Sequence, residues 1–111
     1  MTHAVIDPHI FDELQANAGA DFVAELVDTF AEEAPALLAE LRSALASGAA
    51  ERFRRAAHSL KSNSSSFGAT RLATLARALE VEGLPADAAG VDALAQEFET
   101  TLAALQALAR P

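Results

Sequence analysis

Among the residues able to carry chemistry, His58 stands out through its neighbours. At about 100° per residue, Phe53, Ala57, Leu60, Ser64 and Phe67 fall within about 40° of one direction and define the inward face of a helix. His58 lies about 140° from that direction and so points to solvent. It shares a stripe with Arg54, Lys61, Ser62 and Ser65, its i−4, i+3, i+4 and i+7 neighbours. An exposed imidazole is largely neutral near pH ~7 and keeps one ring nitrogen free as a nucleophile. Arg54 and Lys61, one turn to either side, supply positive charge where an anionic group such as a phosphoryl would gather on that nitrogen. Ser62 and Ser65 are small, so another protein's active site could approach the ring. An idle surface histidine would share the exposure without this setting; the residues describe a binding surface with a nucleophile at its centre.

Other chemistries find less support. His3 falls at the chain end and His9 in a first helical turn, both as solvated residues, and no His-x-x-x-His or Glu-x-x-His pair offers metal-ligand spacing. The absence of cysteine excludes disulfides, thiolate zinc sites and cysteine nucleophiles. A serine hydrolase needs a base, an orienting group and an oxyanion hole in a concave pocket, which a small helical bundle offers poorly. The run Ser62, Ser64, Ser65, Ser66 is better suited to close packing and close approach. No glycine-rich phosphate loop of the Walker type is present.

The 111 residues, 51% of them hydrophobic, suit a single domain over 1–111. No uncharged apolar run reaches membrane-spanning length and the N-terminus lacks a signal-peptide pattern, so a cytoplasmic protein is expected. A net charge of −8 argues against nucleic acid or an anionic membrane as partner. The charge is segregated, however: Arg52, Arg54, Arg55, Lys61, Arg71 and Arg77 lie in a window from Arg52 to Leu79 that contains no acidic residue. Segregation onto a solvated helix face is one reading of that belt, and a docking surface for an acidic partner is the other.

The elements that must position these groups are helical throughout. Alanine and leucine dominate and apolar residues recur at three and four. A short first helix starts at Asp7-Pro8, buries Ile10, Phe11 and Leu14, and ends at Gly19. A second runs from about Ala20 through Phe22, Leu26, Phe30, Leu37, Leu38, Leu41 and Leu45 to Ser47-Gly48, with Pro35 expected to bend or split it. A third spans about Ala49 to Ser66 and stops at Gly68. A fourth, about Ala69 to Glu82, buries Leu72, Leu75, Ala76 and Leu79. A fifth starts near Asp87 and carries Val91, Leu94, Phe98, Leu102, Leu105 and Ala109, leaving Arg110-Pro111 as a frayed end. Short connections favour antiparallel neighbours, hence an all-α, up-down four-helix bundle with the additional short N-terminal helix covering one end. No decisive exposed apolar stripe is visible, so a monomer is expected, and a pattern complete from Met1 suggests a free protein.

The run His58-Ser59-Leu60-Lys61-Ser62-Asn63-Ser64-Ser65-Ser66-Phe67-Gly68-Ala69 resembles the signature of histidine-containing phosphotransfer (HPt) domains. Leu72, Ala76 and Leu79-Glu80 extend the likeness into the next helix, and Phe30, an acidic pair and Pro35 extend it toward the N-terminus. The resemblance implies that His58 is the phosphoacceptor, that Lys61 helps bind the phosphoryl group, and that Gly68 ends the phosphoacceptor helix. At the position of Glu80 the family often has a polar side chain reaching the other imidazole nitrogen, which would fix the tautomer. Ser62 stands where many members have glycine and narrows the space beside the histidine; Ala76 replaces a family cysteine.

The resemblance further implies a phosphorelay intermediate without kinase activity or a cofactor of its own. Its partners would be receiver domains of response regulators or hybrid histidine kinases, and the catalytic magnesium would belong to the receiver. Arg54, Arg55, Ser62, Ser65 and Gly68 are the expected partner-binding residues, and the basic belt would speed docking at low salt. The competing reading is a non-catalytic module that binds receivers or kinases without accepting phosphate; the presence of both His58 and Lys61 favours transfer.

Overall fold

The computed structural model describes residues 5–110 and is all-helical over them. Helix α1 spans Pro8–Ala18, α2 Ala20–Ser47, α3 Ala50–Ser66, α4 Thr70–Glu82 and α5 Ala89–Ala109. Helix α1 begins as its sequence dictates: the Asp7 carboxylate accepts the His9 N–H at 3.0 Å and Pro8 occupies the first turn, where no donor is missed. Helix α5 starts later than expected, at Ala89, with Ala88 as its N-cap; Asp87 stands outside the helix and its side chain accepts the Ala89 N–H at 2.9 Å.

Pro35 does not split α2, which runs unbroken for 28 residues. The proline is exposed, so water can serve the carbonyl it leaves without a donor. Ala34 and Leu41, fully buried on either side of it, hold the helix to the core. The inward stripe of α2 is Val23, Val27, Phe30, Ala34, Leu41 and Ala44, and Phe22, one position off that register, is 52% exposed. Ile10, Leu14, Leu75 and Leu102 are only partly buried, at the margins of the stripes they were expected to fill.

Helices α2, α3, α4 and α5 pack in sequence, and α5 closes back on α2, giving a four-helix bundle; α1 packs on α2. Phe30 lies between Phe67 and Phe98, with ring centroids 5.4 and 5.5 Å away, and so joins α2 to α5 and to the end of α3. Complete burial of side chains such as Phe53, Leu60, Leu72 and Leu94 stabilises the bundle by about 1.5–3 kcal/mol each.

The turn between α3 and α4 anchors α1. Gly68 has φ +78, which a side chain rarely adopts, and its carbonyl accepts the Asp7 N–H at 2.7 Å. A Cβ there would stand 2.9 Å from both the Asp7 carbonyl oxygen and the Ile10 Cβ. At the other end Arg110 is not frayed: it makes a two-pronged pair with Asp28 of α2, both contacts at 2.9 Å. The expectations for His3 and Pro111 lie outside the described residues. Among the described residues no helix is long and apolar enough to cross a membrane.

Candidate functional site

Helix α3 presents its two faces as its periodicity requires. Phe53, Ala57, Leu60, Ser64 and Phe67 are buried, and the side chain of His58 is 53% exposed on the opposite side. Ser64 tolerates burial because its hydroxyl donates to the Leu60 carbonyl at 2.6 Å. The neighbouring helix α4 brings Glu80 to the imidazole. Glu80 Oε2 lies 2.6 Å from His58 Nδ1, and Oε1 lies 2.8 Å from Lys61 Nζ. One carboxylate, itself 15% exposed, therefore ties together the three residues that the sequence singled out.

The protonation pattern follows from that contact. The Lys61 ammonium first, and the His58 ring second, hold the Glu80 carboxyl below the usual carboxylate range, so it is ionised near neutral pH. An ionised carboxylate only accepts hydrogen bonds. In the neutral ring Nδ1 then carries the proton and Nε2 keeps its lone pair, on a side chain that is 53% exposed. Lys61, one turn along α3 and partly buried, rests on Glu80 rather than projecting freely.

The ring lines one open groove, and a second opens on the α4 side of α3. On the α2 side, Glu32, Glu33 and Leu37 face His58, Ser59, Ser62 and Asn63. On the α4 side, Lys61 and Ser65 face Thr74 and Arg77. Ser62 and Ser65 thus open onto different grooves, and both are exposed as their place on the His58 stripe requires. Glu32 and Glu33 were noted in the sequence only as an acidic pair before Pro35; their position beside His58 depends on which helix flanks α3, which periodicity within one helix does not reveal.

Two expectations for the partner-binding residues change. Gly68 is buried beneath Asp7 and Ile10, so it shapes the turn instead of meeting a partner. The basic belt is largely neutralised by carboxylates from outside its own window: Arg52 pairs with Glu40, Arg54 with Glu51, Arg71 with Glu97 and Lys61 with Glu80. Arg55, like Arg54, is exposed. Among the described residues no group of three or more His, Asp or Glu side chains is placed to hold a metal ion.

With this geometry in place, comparison with known proteins is informative. The Hpt domain family profile matches residues 25–108. The crystal structure of histidine-containing phosphotransfer protein B (HptB) from Pseudomonas aeruginosa PAO1 is similar, with a TM-score of 0.76 and 28% sequence identity, over 98% of this chain and 94% of that one. No curated protein sequence matches.

Proposed function

The chain belongs to the Hpt domain family and serves histidine phosphotransfer in phosphorelays, and on that footing we propose that His58 is the residue that carries the phosphoryl group. The observation that supports this assignment most is the bond between His58 Nδ1 and Glu80, because in the neutral ring it keeps the proton on Nδ1 and the lone pair on Nε2 of a half-exposed side chain. His9, the other described histidine, is also exposed but lies on α1, where Glu13 is 3.6 Å from its Nε2.

In the proposed reaction the Nε2 lone pair of His58 attacks the phosphorus of a receiver domain's aspartyl phosphate in line. The N–P bond forms as the bond from phosphorus to the aspartate oxygen breaks, and the electron pair leaves with the carboxylate. The ring keeps its proton on Nδ1 and gains positive charge, which the Glu80 carboxylate offsets. Lys61 can turn from Glu80 toward the new phosphoryl oxygens, since an ammonium on a flexible stem exchanges one anion for another at little cost. The same steps in reverse load a second receiver. In this reading the chain acts as a carrier without kinase activity of its own, and the magnesium assisting transfer would be held by the receiver.

Incubation with phosphorylated receiver domains, run beside His58→Gln, tests the assignment. Acid-labile, base-stable label on the native chain and none on the variant is the expected result. Binding of receivers with no label on either protein would establish a binding-only module, and label on the variant would move the phosphoacceptor elsewhere.

A further inference from the structure

The belt of cations around His58 is mostly committed within the molecule. Four of its members are held by Glu40, Glu51, Glu80 and Glu97, and outside the belt Arg42 and Arg110 are held by Asp92 and Asp28. A guanidinium already paired at the surface presents little net field to an incoming anion, and it must leave its carboxylate to make a new contact. Arg55 and Arg77 differ. Both are exposed, and neither makes an ion pair among the described residues.

Their positions bracket the phosphoacceptor. Arg55 precedes His58 by three residues, about one helical turn, and lines the α2–α3 groove beside Leu37, Ser59 and the Glu40–Arg52 pair, within the field of Glu40 and Glu51 but without a direct ion pair to either. Arg77 sits on α4 one turn before Glu80, whose carboxylate touches His58, and lines the α3–α4 groove beside Lys61 and Ser65. Further along the same α2–α3 side, Glu32 and Glu33, exposed and without ion-pair partners among the described residues, line the groove next to His58 and disfavour an anion there. Charge around the ring is therefore uneven: two available cations on opposite flanks and a carboxylate pair between α2 and α3.

Building on the assignment of His58 as phosphoacceptor, we propose that Arg55 and Arg77 are the electrostatic contacts that draw in and orient the partner's acidic phosphorylation pocket, and that the paired arginines of the belt take no part. A pocket that holds an aspartyl phosphate together with metal-binding carboxylates has the complementary charge. It would seat over Arg55 and Arg77 with its most acidic edge turned away from Glu32 and Glu33. Rim charges of this kind act on encounter and on its salt dependence more than on the chemical step.

The test compares Arg55→Gln, Arg77→Gln and their double variant with Arg52→Gln and Arg71→Gln, all checked by thermal melting. Two quantities are read against receiver domains encoded in the same genome: kcat/KM for transfer from the phosphorylated receiver, and Kd for the unphosphorylated one. At low salt each of Arg55→Gln and Arg77→Gln should lower kcat/KM by about five- to tenfold with kcat little changed, and the deficit should shrink as salt rises. Arg52→Gln and Arg71→Gln should stay within about twofold of the native chain. Equal losses in the paired and unpaired arginines, no loss in Arg55→Gln and Arg77→Gln, or a fall confined to kcat would overturn the proposal. A native chain that takes no label, with Kd still weakened by Arg55→Gln and Arg77→Gln, would refute the phosphoacceptor assignment and leave the docking contacts standing. A native chain that takes label on His58, with Kd and kcat/KM indifferent to both, would do the reverse.

Discussion

Replacing Glu80 with glutamine probes the site most directly, because the carboxylate accepts from two donors at once: His58 Nδ1 at 2.6 Å and Lys61 Nζ at 2.8 Å. Glutamine has the same shape but one accepting oxygen and one donating nitrogen. With its oxygen toward His58, its amide nitrogen is aimed at the Lys61 ammonium, donor against donor. Flipped, it obliges Nδ1 to accept and drives the proton onto Nε2, the nitrogen that must attack. In a buried catalytic triad the same exchange of carboxylate for amide lowers the rate about 10⁴-fold through the wrong tautomer. Here His58 is 53% exposed, so water can stand in as acceptor and the ring can turn. The expected loss is accordingly smaller, about 10- to 100-fold, the range typical of partners that orient a histidine. Rapid-quench single-turnover transfer from a phosphorylated receiver would measure it, with long-range proton–nitrogen NMR reading the tautomer of His58. A Glu80→Gln protein that transfers at the native rate with its proton still wholly on Nδ1 would refute the orienting role.

Other expectations concern the frame around the site. Gly68→Ala forces a side chain into the left-handed region and within 2.9 Å of the Asp7 carbonyl oxygen and the Ile10 Cβ, so a loss of about 2–4 kcal/mol in urea unfolding is expected, and an unchanged midpoint would show that α1 yields freely. Ser64→Ala removes a hydroxyl whose acceptor, the Leu60 carbonyl, keeps its helical partner; it should cost no more than about 1 kcal/mol, against about 1–3 for the larger Ser64→Val at this fully buried position. Acid should weaken the bundle with a defined sign. The carboxyls of Asp28, Glu40, Glu51 and Glu80 are held below their usual range, chiefly by hydrogen bonds from Arg110, Arg52, Arg54 and Lys61 respectively. The unfolded chain takes up protons first as pH falls, so this stabilisation is complete above about pH 5 and drains away below about pH 4. A urea midpoint that rose on acidification through that window would contradict the pairing.

What the sequence disclosed and what it withheld divide along physical lines. The Asp7-Pro8 start of α1, the inward face of α3 and the exposure of His58 were legible because each depends on backbone preference or on periodicity within one helix. The double contact of Glu80 was only half legible: the family resemblance implied its reach toward the ring, but its hold on Lys61 depends on how α4 is set against α3. The belt was misleading largely for the same reason, since three of its cations are met by carboxylates of neighbouring helices, and the fourth, Arg54, by Glu51 of its own helix just before the window counted. Pro35 shows local preference overruled, for the buried alanine and leucine flanking it cost more to displace than one hydrogen bond. Arg110 shows the same override at a chain end, where a two-pronged pair with Asp28 replaces the expected fraying.

If His58 Nε2 carries the phosphoryl group as proposed, its placement sets the kinetics of the relay. A single free nitrogen on an outward-facing helix admits one visitor at a time, so phosphoryl donor and phosphoryl acceptor must use the same berth in alternation. Relay through this chain is then a double displacement, with parallel lines in reciprocal plots and no ternary complex. An acceptor in excess competes with the donor for the empty carrier and slows its charging, which makes the ratio of the two partners in the cell, and not only their affinities, a determinant of throughput.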